Sequence, residues 1–169
     1  MVILTGLPGT GKSTLVDLLA RRTGAPAFSG DWLLGALAPH RVLDGVDRPT
    51  LLAAYRDLLG SLVTRQLLLG QSAVVDCVVD DPILATWREI VDAHGGRLVV
   101  AECVCGDAVV HRRRVEGRTR GIPGWHEIGW DHVERMRAEF RPVTDKQLTL
   151  DAVDPLEHNL SLLTALATG

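Results

Sequence analysis

Eight consecutive residues near the amino end, Gly6-Leu7-Pro8-Gly9-Thr10-Gly11-Lys12-Ser13, combine residue types suited to one kind of chemistry. Three glycines in six positions weaken any regular element, by roughly 1 kcal/mol each in a helix relative to alanine. What glycine offers in return is backbone freedom, which lets successive N–H groups curl around an anion. Lys12 is the only lysine before residue 146, and Ser13 and Thr14 follow it with hydroxyls. The spacing fits GxxxxGK(S/T), in which the loop cradles phosphates, the lysine reaches the β- and γ-phosphates and the serine ligates Mg²⁺.

Context supports the motif. Val2-Ile3-Leu4-Thr5 is a short apolar, β-branched run suited to a buried strand. Leu15, Leu18 and Leu19 then recur at helical spacing, so Lys12 opens a helix whose unpaired N–H groups favour negative charge.

Four further groups are candidates. Asp76 ends the apolar run SAVVD, the form of an aspartate that holds Mg²⁺ beside such a loop. Asp31, in FSGDWLLGAL, is expected to cap a short helix. It also stands where a carboxylate could take the proton of an attacking hydroxyl, a role worth roughly 10²–10⁴ in rate. Trp32 beside it lines an acceptor pocket or packs in the core. In HRRRVEGRTR, residues 111–120, His111, Arg114 and Arg118 share one helical stripe leading into the glycine-rich stretch 117–129. That stretch reads as a lid carrying Arg114, Arg118 and Arg120, and arginines so placed contribute about 10³–10⁵ in phosphoryl transfer. Trp125 is a substrate-binding candidate within it, while His126 reads as surface and Glu127 could touch substrate on closure. Glu102 interrupts LVVAECVC, so either the strand ends there or the carboxylate pairs with a lid arginine.

The elements that must position these groups alternate. Strands are expected at 2–5, 27–29, 73–76, 98–104 and 147–150. Helices are expected from Lys12, from Asp31 to Leu37, over 51–69, 82–94, 108–116 and 130–140, and from Pro155. The 51–69 helix carries a broad apolar face through Leu51, Leu52, Tyr55, Leu58, Leu59, Leu62, Val63 and Leu67. This alternation is an α/β fold with a mainly parallel sheet covered on both faces. Ligands in such sheets gather at the carboxyl ends of the strands, where Asp31, Asp76 and Glu102 fall.

The 169 residues suit a single domain, 1–169, with the lid at about 117–129. Net charge is −3, so nothing draws the whole chain toward nucleic acid. Cys77, Cys103 and Cys105 read as reduced core thiols, since no second ligand pair accompanies them. No signal peptide or membrane-length apolar run is visible, so a cytoplasmic protein without a membrane partner is expected. No obligate protein partner is readable.

GLPGTGKST, the Asp31 segment and the arginine-bearing lid together resemble the small P-loop kinases. Within them the chain resembles the AAA-type ATP-binding kinases related to chloramphenicol phosphotransferase, zeta toxins and 5′-polynucleotide kinase. Gly30-Asp31 is also similar to the Gly-Asp pair after the second strand of gluconate kinase. The resemblance implies a three-layer P-loop NTPase fold with a five-stranded sheet in the order 2-3-1-4-5. It implies ATP with Mg²⁺, and a small-molecule hydroxyl acceptor (antibiotic, sugar or nucleoside) held between Asp31 and the lid. Asp31 is the base by that analogy, and Arg114 and Arg118 contact phosphates or stack on adenine. No zeta-toxin-type insertion, zinc-binding lid or Asn-Lys-x-Asp segment for guanine is present. The competing expectations are a 5′-hydroxyl polynucleotide kinase, and a nucleotide-binding regulatory module or weak ATPase without an acceptor.

Overall fold

A computed structural model describes all 169 residues. Five strands form one parallel sheet: β1 (Val2–Thr5), β2 (Ala27–Ser29), β3 (Val74–Asp76), β4 (Val99–Val104) and β5 (Leu148–Asp151). Their order is β2-β3-β1-β4-β5, as the resemblance implies. The helices are α1 (Lys12–Thr23), α2 (Gly30–Leu37), α3 (Arg48–Leu68), α4 (Asp81–Ala93), α5 (Ala108–Glu116), α6 (Trp130–Glu139) and α7 (Leu156–Thr168).

The continuous apolar strands follow from burial on both faces. Along β1, Ile3 points to a core built with Leu59 and Val63 of α3 and Trp87 and Val91 of α4. Val2 and Leu4 point the other way, to Leu15 and Leu19 of α1 and Leu160 and Leu163 of α7. The alternation along four residues thus separates two helical layers around one sheet.

Local signals explain most helix starts. Asp80 and Asp107 cap α4 and α5 by accepting from Ile83 N–H at 3.0 Å and from Val109 N–H at 2.8 Å. Asp47 accepts from Thr50 N–H at 3.0 Å, so α3 begins at Arg48, with Pro49 in its first turn, three residues before the expected start. The expected loop 38–48 is also shortened by a 3₁₀ turn over Ala38–His40.

Three expectations are corrected. The broad apolar face of α3 is only partly used: Leu59 and Val63 are buried, whereas Leu52 and Leu58 are exposed. This helix packs mainly on α2, α4 and β2, which leaves part of its apolar face to solvent. Glu102 neither ends β4 nor meets a lid arginine. The strand runs two residues further, and the buried carboxylate is ion-paired with Lys146, just ahead of β5. Cys77 and Cys103 are buried thiols, and burial pushes Cys103 up to about 12. Cys105 lies beyond the strand and is half-buried, so it is not a core residue.

Candidate functional site

The P-loop leaves β1 at Gly6, whose position no other residue could occupy. Its φ is +130°, and a Cβ there would stand 2.1 Å from the Cys103 carbonyl oxygen of β4. The loop is therefore pressed onto the neighbouring strand. Thr10 Oγ1 and Lys12 Nζ both donate to the Leu7 carbonyl, at 2.8 and 3.0 Å, and draw the loop around a shared centre. Gly11, at φ +89°, starts α1 without a side-chain cap, which leaves the first N–H groups for a ligand.

Asp76 ends β3 next to this loop, as expected. Ser13 Oγ donates to Asp76 Oδ2 at 2.5 Å. Burial raises the Asp76 carboxyl above its ordinary value, opposed mainly by the Lys12 charge and the Ser13 hydrogen bond. The two side chains fit a Mg²⁺ site of the kind in which protein supplies few ligands and phosphates and water the rest. A hard carboxylate and a hydroxyl, already in mutual contact beside an open phosphate cradle, are the donors such an ion takes.

Asp31 is brought to the same space by a different route from the one expected. Ser29 is the N-cap residue of α2, and Asp31 lies in the first turn rather than capping it. Its Oδ2 is ion-paired with Arg120 Nη1. Arg120 is further fixed by Glu127, which accepts from the Arg120 N–H at 2.7 Å and faces its Nε at 3.6 Å. Trp32 is 55% exposed and lines the cavity rather than the core.

The expected stripe of His111, Arg114 and Arg118 dissolves. Helix α5 ends at Glu116 with Gly117 as C-cap, so Arg118 leaves the helical face. Arg114 lies over the P-loop, its Nε donating to the Gly9 carbonyl at 3.2 Å. Arg118 turns inward among Arg120, Asp31 and Asp76, and burial, then Arg120, lowers its pKa. Residues 118–128 carry no helix or strand, as expected for that stretch. His126 is exposed and Trp125 half-buried.

His111 is neither surface nor lid but a buried brace. Its Nε2 meets the Pro8 carbonyl at 2.8 Å, and its Nδ1 meets Arg137 Nη2 at 3.0 Å. A guanidinium only donates and a carbonyl only accepts. These partners therefore fix one neutral tautomer, with the proton on Nε2. Trp130 completes the packing, edge-on to His111 at 5.3 Å and under Arg137 at 5.2 Å. Burial and then the surrounding cations, Arg137, Lys12 and Arg114, lower the His111 pKa, against the Pro8 hydrogen bond.

A pH effect follows from that brace. Because the folded pKa lies below the ordinary value of about 6.5, the unfolded chain binds the proton first as pH falls. The brace's contribution is complete above about pH 6.5 and is lost as pH falls toward the folded pKa. His111→Gln, which keeps a donor for Pro8 and an acceptor for Arg137 but does not titrate, is expected to flatten this part of the Tm-versus-pH curve. Parallel wild-type and variant curves between pH 5 and 7 would refute the assignment.

Asp31, Asp76, Lys12, Ser13, Arg114, Arg118, Arg120 and Trp125 all border one cavity of about 980 Å³. Tyr55 of α3 borders it too, a residue the sequence suggested only as core. Gly30 makes room for its ring, since a Cβ there would lie 1.7 Å from Tyr55 Cε2. Arg137 was also missed, although its spacing of seven from Trp130 puts both on one face of α6. A second cavity of about 780 Å³ lies at the opposite end of the sheet, by Met1, Gly24 and Gly95, and contains none of these groups.

No curated protein matches the sequence significantly. Solved structures share the fold. A gluconokinase from Sinorhizobium meliloti 1021 superposes with a TM-score of 0.69 at 21% identity, over 98% of this chain and 90% of that one. A sugar kinase from Janibacter sp. HTCC2649 gives 0.69 at 17%, over 98% and 92%. The Mycobacterium tuberculosis APS kinase in complex with AMPPNP and APS gives 0.63 at 20%, over 99% and 96%. No helix of this chain is long and apolar enough to cross a membrane. Residues 1–143, from β1 through the phosphate loop, the Asp31 helix and the arginine segment to the end of α6, match the family described as AAA domain, and the chain belongs to that family.

Proposed function

We propose that this protein is an ATP-dependent kinase that phosphorylates a hydroxyl of a small molecule, with residues 117–129 as its lid. The observation that carries the reading is one cavity bordered both by Lys12, Ser13 and Asp76 and by Asp31 and the inward arginines. A phosphate cradle alone would suit an ATPase. A further carboxylate, Asp31, on the same cavity of about 980 Å³ suits transfer to an acceptor. The kinase names of the structural neighbours support the reading.

In the proposed reaction, nucleotide phosphates lie in the P-loop against Lys12 and Arg114. The acceptor hydroxyl lies against Asp31 Oδ1, the oxygen not held by Arg120. As the hydroxyl oxygen forms its bond to the γ-phosphorus, its proton passes to Asp31. The bond from the γ-phosphorus to the bridging oxygen breaks, and ADP leaves with that electron pair. Arg118 adds positive charge where phosphoryl group and acceptor meet. Mg²⁺, held by Ser13 and Asp76, would neutralise charge on the phosphates. Kinship with the chloramphenicol phosphotransferase, zeta-toxin and polynucleotide kinase branch is part of this proposal, as is a cytoplasmic setting. It rests on GLPGTGKST, Gly30-Asp31 and the arginine segment.

ADP release measured with MgATP against a panel of alcohols tests the proposal, with a 5′-hydroxyl oligonucleotide included. Acceptor-dependent release by a small molecule is expected. ATP consumption that no acceptor accelerates would leave a weak ATPase or regulatory module, and acceleration by the oligonucleotide alone would mean a polynucleotide kinase.

A further inference from the structure

Four buried side-chain nitrogen or oxygen atoms in this chain have no hydrogen-bond partner: Arg118 Nε, Arg118 Nη2, Arg120 Nε and Trp125 Nε1. They come from three residues of one segment, and all three residues border the cavity that contains Asp31. Every other buried side-chain nitrogen or oxygen is paired. Arg120 Nε still faces the Glu127 carboxylate at 3.6 Å, but the two Arg118 nitrogens and the Trp125 indole N–H have nothing, and unpaired buried donors call for a partner from outside the chain.

Their chemistry narrows that partner. Every one is an N–H donor and none is an acceptor. Arg120 already serves Asp31 and Glu127, but Arg118 has no carboxylate within ion-pair distance. It is therefore a half-buried cation with no direct ion pair, beside a second guanidinium and with the Glu127, Asp31 and Asp76 carboxylates only in its wider surroundings. Its two free nitrogens, Nε and Nη2, form the side of the guanidinium fork that presents parallel N–H groups, the geometry that takes a carboxylate in bidentate fashion. A neutral polyol could accept from these donors through its hydroxyl oxygens but brings no negative charge to the Arg118 guanidinium.

Position separates this cluster from the nucleotide phosphates. The P-loop end has its own cations, Lys12 and Arg114. Arg120 and Trp125 instead lie against α2. Arg120 is paired with Asp31 there, and a Cβ on Gly35 would stand 3.2 Å from the Trp125 Cβ. Arg120 and Trp125 thus lie on the Asp31 side of the cavity, and Arg118 borders the same cavity.

We propose, building on the kinase reading, that the acceptor is a hydroxy acid, an alcohol whose carboxylate is received by Arg118 with the Trp125 indole N–H. Arg118 and Trp125 then decide which alcohols are substrates, by requiring a negative charge on them.

Calorimetry on the full chain saturated with AMPPNP and Mg²⁺ tests this at constant ionic strength. The titrants are D-glycerate, D-ribonate and D-gluconate, each against its neutral polyol: glycerol, ribitol and D-glucitol. At least one acid is expected to bind about tenfold or more tightly than its polyol, the scale of one charged hydrogen-bonded contact. Arg118→Met is expected to abolish that preference, and Trp125→Phe, which keeps the packing, to reduce it about threefold. The inference is overturned if no acid outbinds its polyol, or if Arg118→Met weakens AMPPNP binding while the acid preference persists. Failure of the wild-type protein to bind AMPPNP at all is a separate readout and would refute the kinase reading itself. Neutral polyols accelerating ADP release as well as the acids would leave the kinase reading standing and this one refuted.

Discussion

Replacing Asp31 with asparagine is expected to lower acceptor phosphorylation by about 10²–10⁴, the range for loss of a positioned general base. The substitution keeps the shape and one carbonyl oxygen, so α2 and its first turn remain. What it removes is the oxygen that takes the acceptor's proton in the proposed mechanism, and the charge that Arg120 neutralises. These two losses have different kinetic signatures. In the proposed mechanism loss of the base lowers kcat, whereas a 117–129 segment no longer anchored through Arg120 holds substrate less firmly and raises KM. Arg120→Met separates them, because it frees the Asp31 carboxylate while releasing the lid. Its expected effect is mainly on KM. Initial-rate kinetics on both variants check this, and an Asp31→Asn enzyme within threefold of wild-type kcat would refute the base.

The phosphate end of the site was legible because its information is local. Gly6 to Ser13, the strand before and the helix after are contiguous, and each residue type has a reason that needs no distant partner. Asp76 was legible for a related reason: a parallel sheet delivers ligands to strand ends, and SAVVD announces its own end. The acceptor end was legible only as a set of residues. Asp31 was found and read both as a base and as a helix cap; the cap was wrong, because aspartate is common at that position and its partner is Arg120, 89 positions away. His111 was grouped with Arg114 by helical spacing. That spacing is real, but it cannot say that one residue turns under the loop while the other lies over it. Glu102 had two readings, and its partner proved to be Lys146, a residue neither reading included. The leucines of α3 mark the same limit in packing terms, since apolar periodicity fixes the helix but not how much of its face a neighbour covers.

Lys12→Met is expected to weaken MgATP binding and turnover by at least about 10², the scale for removing one preorganised charge from a phosphoryl-transfer site. The side chain is 8% exposed, so methionine fits the channel of the lysine stem and the loop keeps its core contacts. Three consequences then act together. The phosphates lose a cation, and the Leu7 carbonyl loses the 3.0 Å hydrogen bond that draws the loop inward. Asp76 loses the largest influence opposing its burial, which disfavours its charged form, the form that would hold Mg²⁺. The metal and nucleotide sites should therefore fail as one, with Mg²⁺ no longer enhancing whatever nucleotide binding remains. Lys12→Arg distinguishes charge from fit: it restores the charge but brings a planar fork into a space shaped for a compact ammonium, so only partial recovery is expected. Calorimetry with ATP, with and without Mg²⁺, reads each of these effects, and a Lys12→Met protein that binds MgATP within threefold of wild type would remove the phosphate cradle from the argument.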